Sequence, residues 1–129
     1  MHLIQYRQAM TVVRLGADAP EPTWAVGGPL VSVSRTDDEL SVICPTSSLP
    51  EPVPGPVEGP FSVVRVAGQL EISQIGSLLR LLKPMADAGI PVLSVSTFDT
   101  DWILVPAAKT TNAVSVWRHA GYEITEDAE

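Results

Sequence analysis

Two stretches of this chain hold the residues best suited to chemistry. One is the approach to a long segment with an apolar face: Gly68, then Glu71, Ile72, Ser73 and Gln74. The other is the turn Thr97-Phe98-Asp99-Thr100-Asp101. If the first stretch opens a helix, its leading N–H groups lack partners within the helix and lie at the positive end of the dipole, which suits a carboxylate. Ser73 is the expected N-cap, and Gly68 lets backbone approach a bound group closely. Asp99 and Asp101 supply the opposite charge, which suits an ammonium, while Glu71 suits a cationic side chain. A small zwitterion would satisfy both stretches at once. Each residue also has a plainer reading. Short acidic side chains in a tight turn cap local backbone. Gly68 serves equally as a strand-to-helix bend, and Glu71 as a solvated charge. Phe98 is an unusual residue for a turn tip, and an aromatic exposed there marks a contact surface.

The elements that must position these residues follow from periodicity. Ile75, Leu78, Leu79, Leu82, Met85 and Ala86 recur at spacings of three and four, which predicts a helix from Ser73 to a stop near Gly89, kinked in its last turn by Pro84. A second helix is expected over 110–120, burying Ala113, Val114, Val116 and Trp117 and ending at Gly121. Tyr122-Glu123-Ile124 reads as a short last strand and 125–129 as a mobile acidic tail. Three pairs of apolar strings repeat in the same order. Thr11-Val12-Val13-Arg14-Leu15-Gly16 resembles Ser62-Val63-Val64-Arg65-Val66-Ala67-Gly68, and Leu30-Val31-Ser32-Val33-Ser34 resembles Val92-Leu93-Ser94-Val95-Ser96. The third pair ends in proline: Glu39 to Pro45 and Asp101 to Pro106.

The chain therefore divides into halves at 1–60 and 61–129, and the fold class is α+β, with two ferredoxin-like halves of βαββαβ type. In the first half the helices are degraded. Its connection, 17–28, carries Pro20, Pro22, Gly27 and Gly28 and leaves room for about one turn around Trp24. Six of the twelve prolines fall between Pro45 and Pro60, which predicts an extended, irregular strap. The strands on either side of the long helix are expected to be parallel neighbours with a right-handed crossover. On that topology the 97–101 turn lies at the far end of the next strand. It then meets the helix start only across a seam with another subunit or domain, or through a bent strand end.

Composition excludes several classes. Net charge is −7 over 129 residues, with no basic stripe to neutralise phosphates, so neither nucleic acid nor an anionic membrane surface is an expected partner. No apolar run approaches the roughly 18–20 residues that span a bilayer, and no signal peptide is visible, so a cytoplasmic location is expected. Cys44, the one cysteine, reads as a buried thiol. His2 and His119 have no companions at metal-ligand spacing. There is no nucleophile elbow, no P-loop and no dinucleotide fingerprint. No metal, cofactor or catalysis is expected. Trp24, Trp102 and Trp117 read as core or interface anchors.

Two longer motifs carry a family resemblance. Arg35-Thr36-Asp37-Asp38-Glu39-Leu40-Ser41-Val42-Ile43-Cys44-Pro45 resembles the RTxDELSIVCP signature of a group of bacterial ACT-domain proteins, and the run from Ser96 to Val105 resembles that group's STYDTDYILV signature. Leu70 to Gly76 sits where the group has a looser stretch. The resemblance runs from about Met10 to Gly121. The group is similar in architecture to the animal cytosolic arginine sensors called CASTOR. It implies tandem ACT domains that bind a small molecule, usually an amino acid, and that often pair their sheets. It also implies ligand contact at Asp101 and backbone contributions from Thr97 and Phe98, with Gly68 in the loop before the helix. The function expected is therefore a non-enzymatic regulatory protein, a homodimer that senses an amino acid, with the acidic balance favouring a cationic one. The alternative is an interaction or dimerisation module without a ligand, in which the proline strap or the Phe98 turn contacts a protein.

Overall fold

The computed structural model describes residues 1–67 and 76–127. Their strands are β1 (His2–Gln5), β2 (Met10–Leu15), β3 (Ser32–Arg35), β4 (Leu40–Pro45), β5 (Val57–Val66), β6 (Leu93–Ser96), β7 (Asp101–Pro106) and β8 (Glu123–Glu126). The helices are α1 (Ser77–Asp87) and α2 (Thr110–His119), and short 3-10 turns follow β4 and β7. These elements form two compact units. One comprises Gln8–Phe61, and the other comprises Met1–Arg7 with Ser62–Glu129. Strand β5 passes from the first into the second.

The 8–61 unit is all strand and loop. Its β3, β4, β2 and the start of β5 pair antiparallel in that order. Val13, Leu40, Val42 and Cys44 form its core, with Leu15, Trp24 and Leu49 packed against them. The free thiol is buried, as its apolar strand predicts. No regular helix forms over 17–29, because prolines and glycines there cannot sustain one. In the strap, Gly55 lies so close to the Arg14 carbonyl that an added Cβ would collide with it, while the Arg14 N–H donates to the Pro56 carbonyl at 3.0 Å. The strap is thus tied to β2 before it becomes β5.

The second unit has the ferredoxin-like βαββαβ order β5-α1-β6-β7-α2-β8, with one addition. The N-terminal strand β1 lies between β5, to which it is antiparallel, and β8, to which it is parallel. Strand β7 pairs with both β5 and β6. The two strands flanking α1 are therefore not neighbours, as the sequence pattern suggested; β7 lies between them. Helices α1 and α2 cover one face of this sheet. Leu3, Val64, Val66, Ile103 and Val105 meet Leu81, Met85, Ala113, Val114 and Trp117 there. The Trp117 indole N–H donates to the Leu81 carbonyl at 2.9 Å, so this large ring is buried without an orphaned donor.

Two predicted boundaries shift. Helix α1 begins at Ser77, after Gly76 in a left-handed conformation (φ 80°), so Gly76 is the cap and not part of the first turn. The buried face is Leu81 and Met85, with Leu78 and Leu82 beside them; Leu79 is 65% exposed and Ala86 also faces out. The expected acidic tail is strand as far as Glu126, whose neighbours Thr125 and Ile124 pair in register with Ile4 and Leu3.

Candidate functional site

The hairpin of β6 and β7 is closed by Ser96 opposite Asp101. Between them, Thr97 orders the four-residue tip. Its N–H donates to the Thr100 carbonyl at 2.9 Å and its hydroxyl donates to the same oxygen at 3.1 Å. The Ser96 hydroxyl donates to Asp101 Oδ1 at 2.7 Å. Asp101 is half-buried, with one carboxylate oxygen engaged by its own hairpin. Phe98 stands at the summit, 82% exposed. Asp99 beside it is exposed and takes part in local interactions.

Thr100 places this tip within the unit. It is buried, and its hydroxyl donates to the carbonyl of Val66 at 2.9 Å. Val66 is the last residue of β5, from which the chain leaves for Gly76 and α1. Nearby, the Arg65 guanidinium lies over the Trp102 ring at 5.7 Å, and its Nε donates to the Tyr6 hydroxyl at 3.0 Å. Tyr6 in turn stacks on Trp102 with ring centroids 5.6 Å apart. At the opposite end, the Ser62 and Thr110 hydroxyls meet at 2.6 Å. The start of β7 thus lies beside the end of β5, which makes the pair antiparallel and sets β5 and β6 parallel. The hairpin tip and the departure towards α1 are therefore at the same end of one sheet. The expectation that the tip lies at the far end of the sheet from that departure is corrected. Parallel strands, adjacent or not, end on the same side of a sheet, so the end of β6 returns to the end of β5.

Thr97, Phe98, Asp99 and Asp101 are thus gathered on one tip beside the end of β5. Gly68, Glu71, Ile72, Ser73 and Gln74 lie outside the described residues. Thr100 and Ser96 are the residues that reading by type missed. One anchors the tip to β5 and the other orients Asp101. The available signal was the repeated threonine at Thr36 and Thr97, which opens both four-residue tips. Among the described residues no cluster of histidine, cysteine, aspartate and glutamate could hold a metal ion. No helix among them is long and apolar enough to cross a membrane.

Known proteins resemble this arrangement over nearly the whole chain. The ACT-domain family profile matches residues 57–118. A second profile, for the N-terminal domain of a family named after one of its members, matches residues 8–52. The crystal structure of an Agrobacterium tumefaciens protein is 31% identical, with a TM-score of 0.89 and coverage of 99% of this chain and 94% of that one. The regulatory subunit of aspartate kinase from Thermus flavus has a TM-score of 0.63 at 11% identity, over 92% of this chain and 96% of that one. Aspartate kinase from Clostridium acetobutylicum has a TM-score of 0.64 at 10% identity, over 88% of this chain but 33% of that one. At those identities the two kinases show a shared fold. No curated protein matches the sequence.

Proposed function

We propose that this chain, which matches the ACT-domain family over residues 57–118, is a non-enzymatic regulatory protein that binds a free amino acid at the 97–101 tip. The observation that carries this reading is the Thr100 to Val66 hydrogen bond. It sets a carboxylate-bearing hairpin tip at the end of the strand that leads to α1. Asp101 would receive the ligand ammonium, and backbone groups at Thr97 and Phe98 would line the same site. Residues 68–74 would supply the donors for the ligand carboxylate, completing a pocket for a zwitterion. The net charge of −7 and the resemblance to arginine sensors of the CASTOR type make arginine and lysine the first ligands to try.

A homodimer in the cytoplasm is the assembly this reading favours. Strand β6 pairs only with β7 among the described residues, and its Leu93 is 41% exposed. An open edge of this kind can add a strand from a second copy. Exposed Phe98 also supports the second reading, a docking or dimerisation module without a ligand.

A thermal-shift screen against the common L-amino acids tests the first reading. A ligand present at about a hundred times its Kd adds roughly 2.7 kcal/mol of stability, which for a domain of this size is a rise of several degrees. Asp101→Asn should abolish the rise while leaving the ligand-free melting temperature close to that of the parent. No response to any amino acid at millimolar concentration would leave the docking module as the function.

A further inference from the structure

A second cleft lies within the same unit, away from the hairpin tip. It has a volume of about 470 Å³ and sits between one stripe of α2 and the ends of β1 and β8. That volume is within the range of about 300–1,000 Å³ usual for small-ligand pockets. Its lining includes Gln5, Thr111, Val114, Ser115, Arg118 and Glu126, with His119 at the rim of α2.

The charges in this cleft are opposed but not joined. Arg118 makes no ion pair among the described residues; one N–H of its guanidinium donates to the Ile124 carbonyl at 3.3 Å, and four of its roughly five donors remain. Glu126, at the last position of β8, likewise has no cationic partner among the described residues. Gln5, Thr111 and Ser115 offer an amide and two hydroxyls, and Val114 offers a small apolar patch. A simple anion held by Arg118 would face the Glu126 carboxylate, and a simple cation held by Glu126 would face Arg118. A molecule carrying both charges satisfies both.

We infer that this cleft is a second small-molecule site, for a zwitterion of amino-acid size whose carboxylate is held by Arg118 and whose ammonium is held by Glu126. Charge-assisted bonds at each end fix the orientation. The hydroxyls and amide of the lining select polar substituents. The site shares no residue with the 97–101 tip, so the two stand or fall separately.

Amide-resolved NMR of the full chain tests it, with each common L-amino acid as probe and acetate and methylammonium as half-ligands. At least one amino acid should produce saturable shifts at Gln5, Thr111, Ser115 and Glu126, well beyond those of either half-ligand. Arg118→Gln and Glu126→Gln, both at exposed positions, should each weaken that response by about tenfold or more while any response at 97–101 persists. The Trp117 indole signal reports that each variant is folded. Absence of shifts at α2 and β8 with every probe overturns the inference, whatever happens at the hairpin. So does a response that survives both substitutions, or one that acetate or methylammonium reproduces in full. Shifts confined to 97–101 would support the first site and refute this one.

Discussion

The hairpins β3–β4 and β6–β7 share one backbone plan and differ in what closes it. Both have four-residue tips, 36–39 and 97–100, opened by a threonine. Thr36 N–H donates to the Glu39 carbonyl at 2.8 Å, and Thr97 N–H donates to that of Thr100 at 2.9 Å. Both second strands end in proline, at Pro45 and Pro106, and run into a 3-10 turn. The closing pairs diverge. In the 8–61 unit Arg35 stands opposite Leu40, which is fully buried, and Arg35 turns away to the Ala17 carbonyl and Glu21. In the other unit Ser96 stands opposite Asp101 and bonds to it. The last tip residue is Glu39 in one and the buried Thr100 in the other. A hairpin of this type therefore closes without a carboxylate. Asp101 is not required by the turn, which is why it is the residue to test for binding.

The comparison breaks most visibly if the closing pairs are exchanged. Leu40→Asp places a charge in the core of Val13, Val42 and Cys44 and empties the volume of the leucine. We expect a loss of about 4 kcal/mol or more in urea unfolding. A loss below about 1 kcal/mol would mean that Leu40 is not the apolar counterpart of Asp101. Next in size is Thr100→Val, which keeps the shape and deletes the bond to the Val66 carbonyl. It should cost about 1–2 kcal/mol and weaken the ligand response, and Thr100→Ser should recover much of both. The converse exchange, Asp101→Leu, should change stability by less than about 1 kcal/mol, because the pair is at the edge of the core and the Ser96 hydroxyl can bond to water. Its effect should fall on ligand response instead, which isothermal calorimetry would show as lost heat.

The same hairpins show where the sequence is legible. Their tips are recognisable because Thr, Asp and Pro recur at matched places. Their strand register is not. The strings Leu30 to Ser34 and Val92 to Ser96 look alike when offset by 62 positions, yet pairing to β4 and β7 matches Arg35 with Ser96, an offset of 61. A slip of one residue reverses every side chain, and only the partner strand decides it. Helix α2 reads correctly because Ala113, Val114 and Trp117 fit a single face. In α1 the leucines at 78, 79, 81 and 82 fit two faces, and packing against α2 selects 81 over 79. Strand β1 has no pattern of its own. Four residues, His2 to Gln5, become a strand only through pairing with β5 and with β8, some 120 residues away. Sheet order is equally non-local, so residue type identified the hairpin tip as a candidate but could not say which end of which sheet it occupies.

The smallest effect on stability should come from the largest exposed side chain. Phe98 corresponds in the other hairpin to Asp37, a residue suited to water. At 82% exposure it contributes little to the core, so Phe98→Asp should alter unfolding free energy by no more than about 0.5 kcal/mol. Any consequence must then lie outside the folded unit. If the tip is a ligand site, the substitution adds a third carboxylate to those of Asp99 and Asp101, so the response to neutral amino acids should fall more than the response to arginine. If the tip is a docking surface, sedimentation should show a shift towards monomer, and amino-acid response should be absent in the parent as well. A variant that changes neither quantity would make Phe98 an incidental surface residue and would remove the main support for docking at this tip.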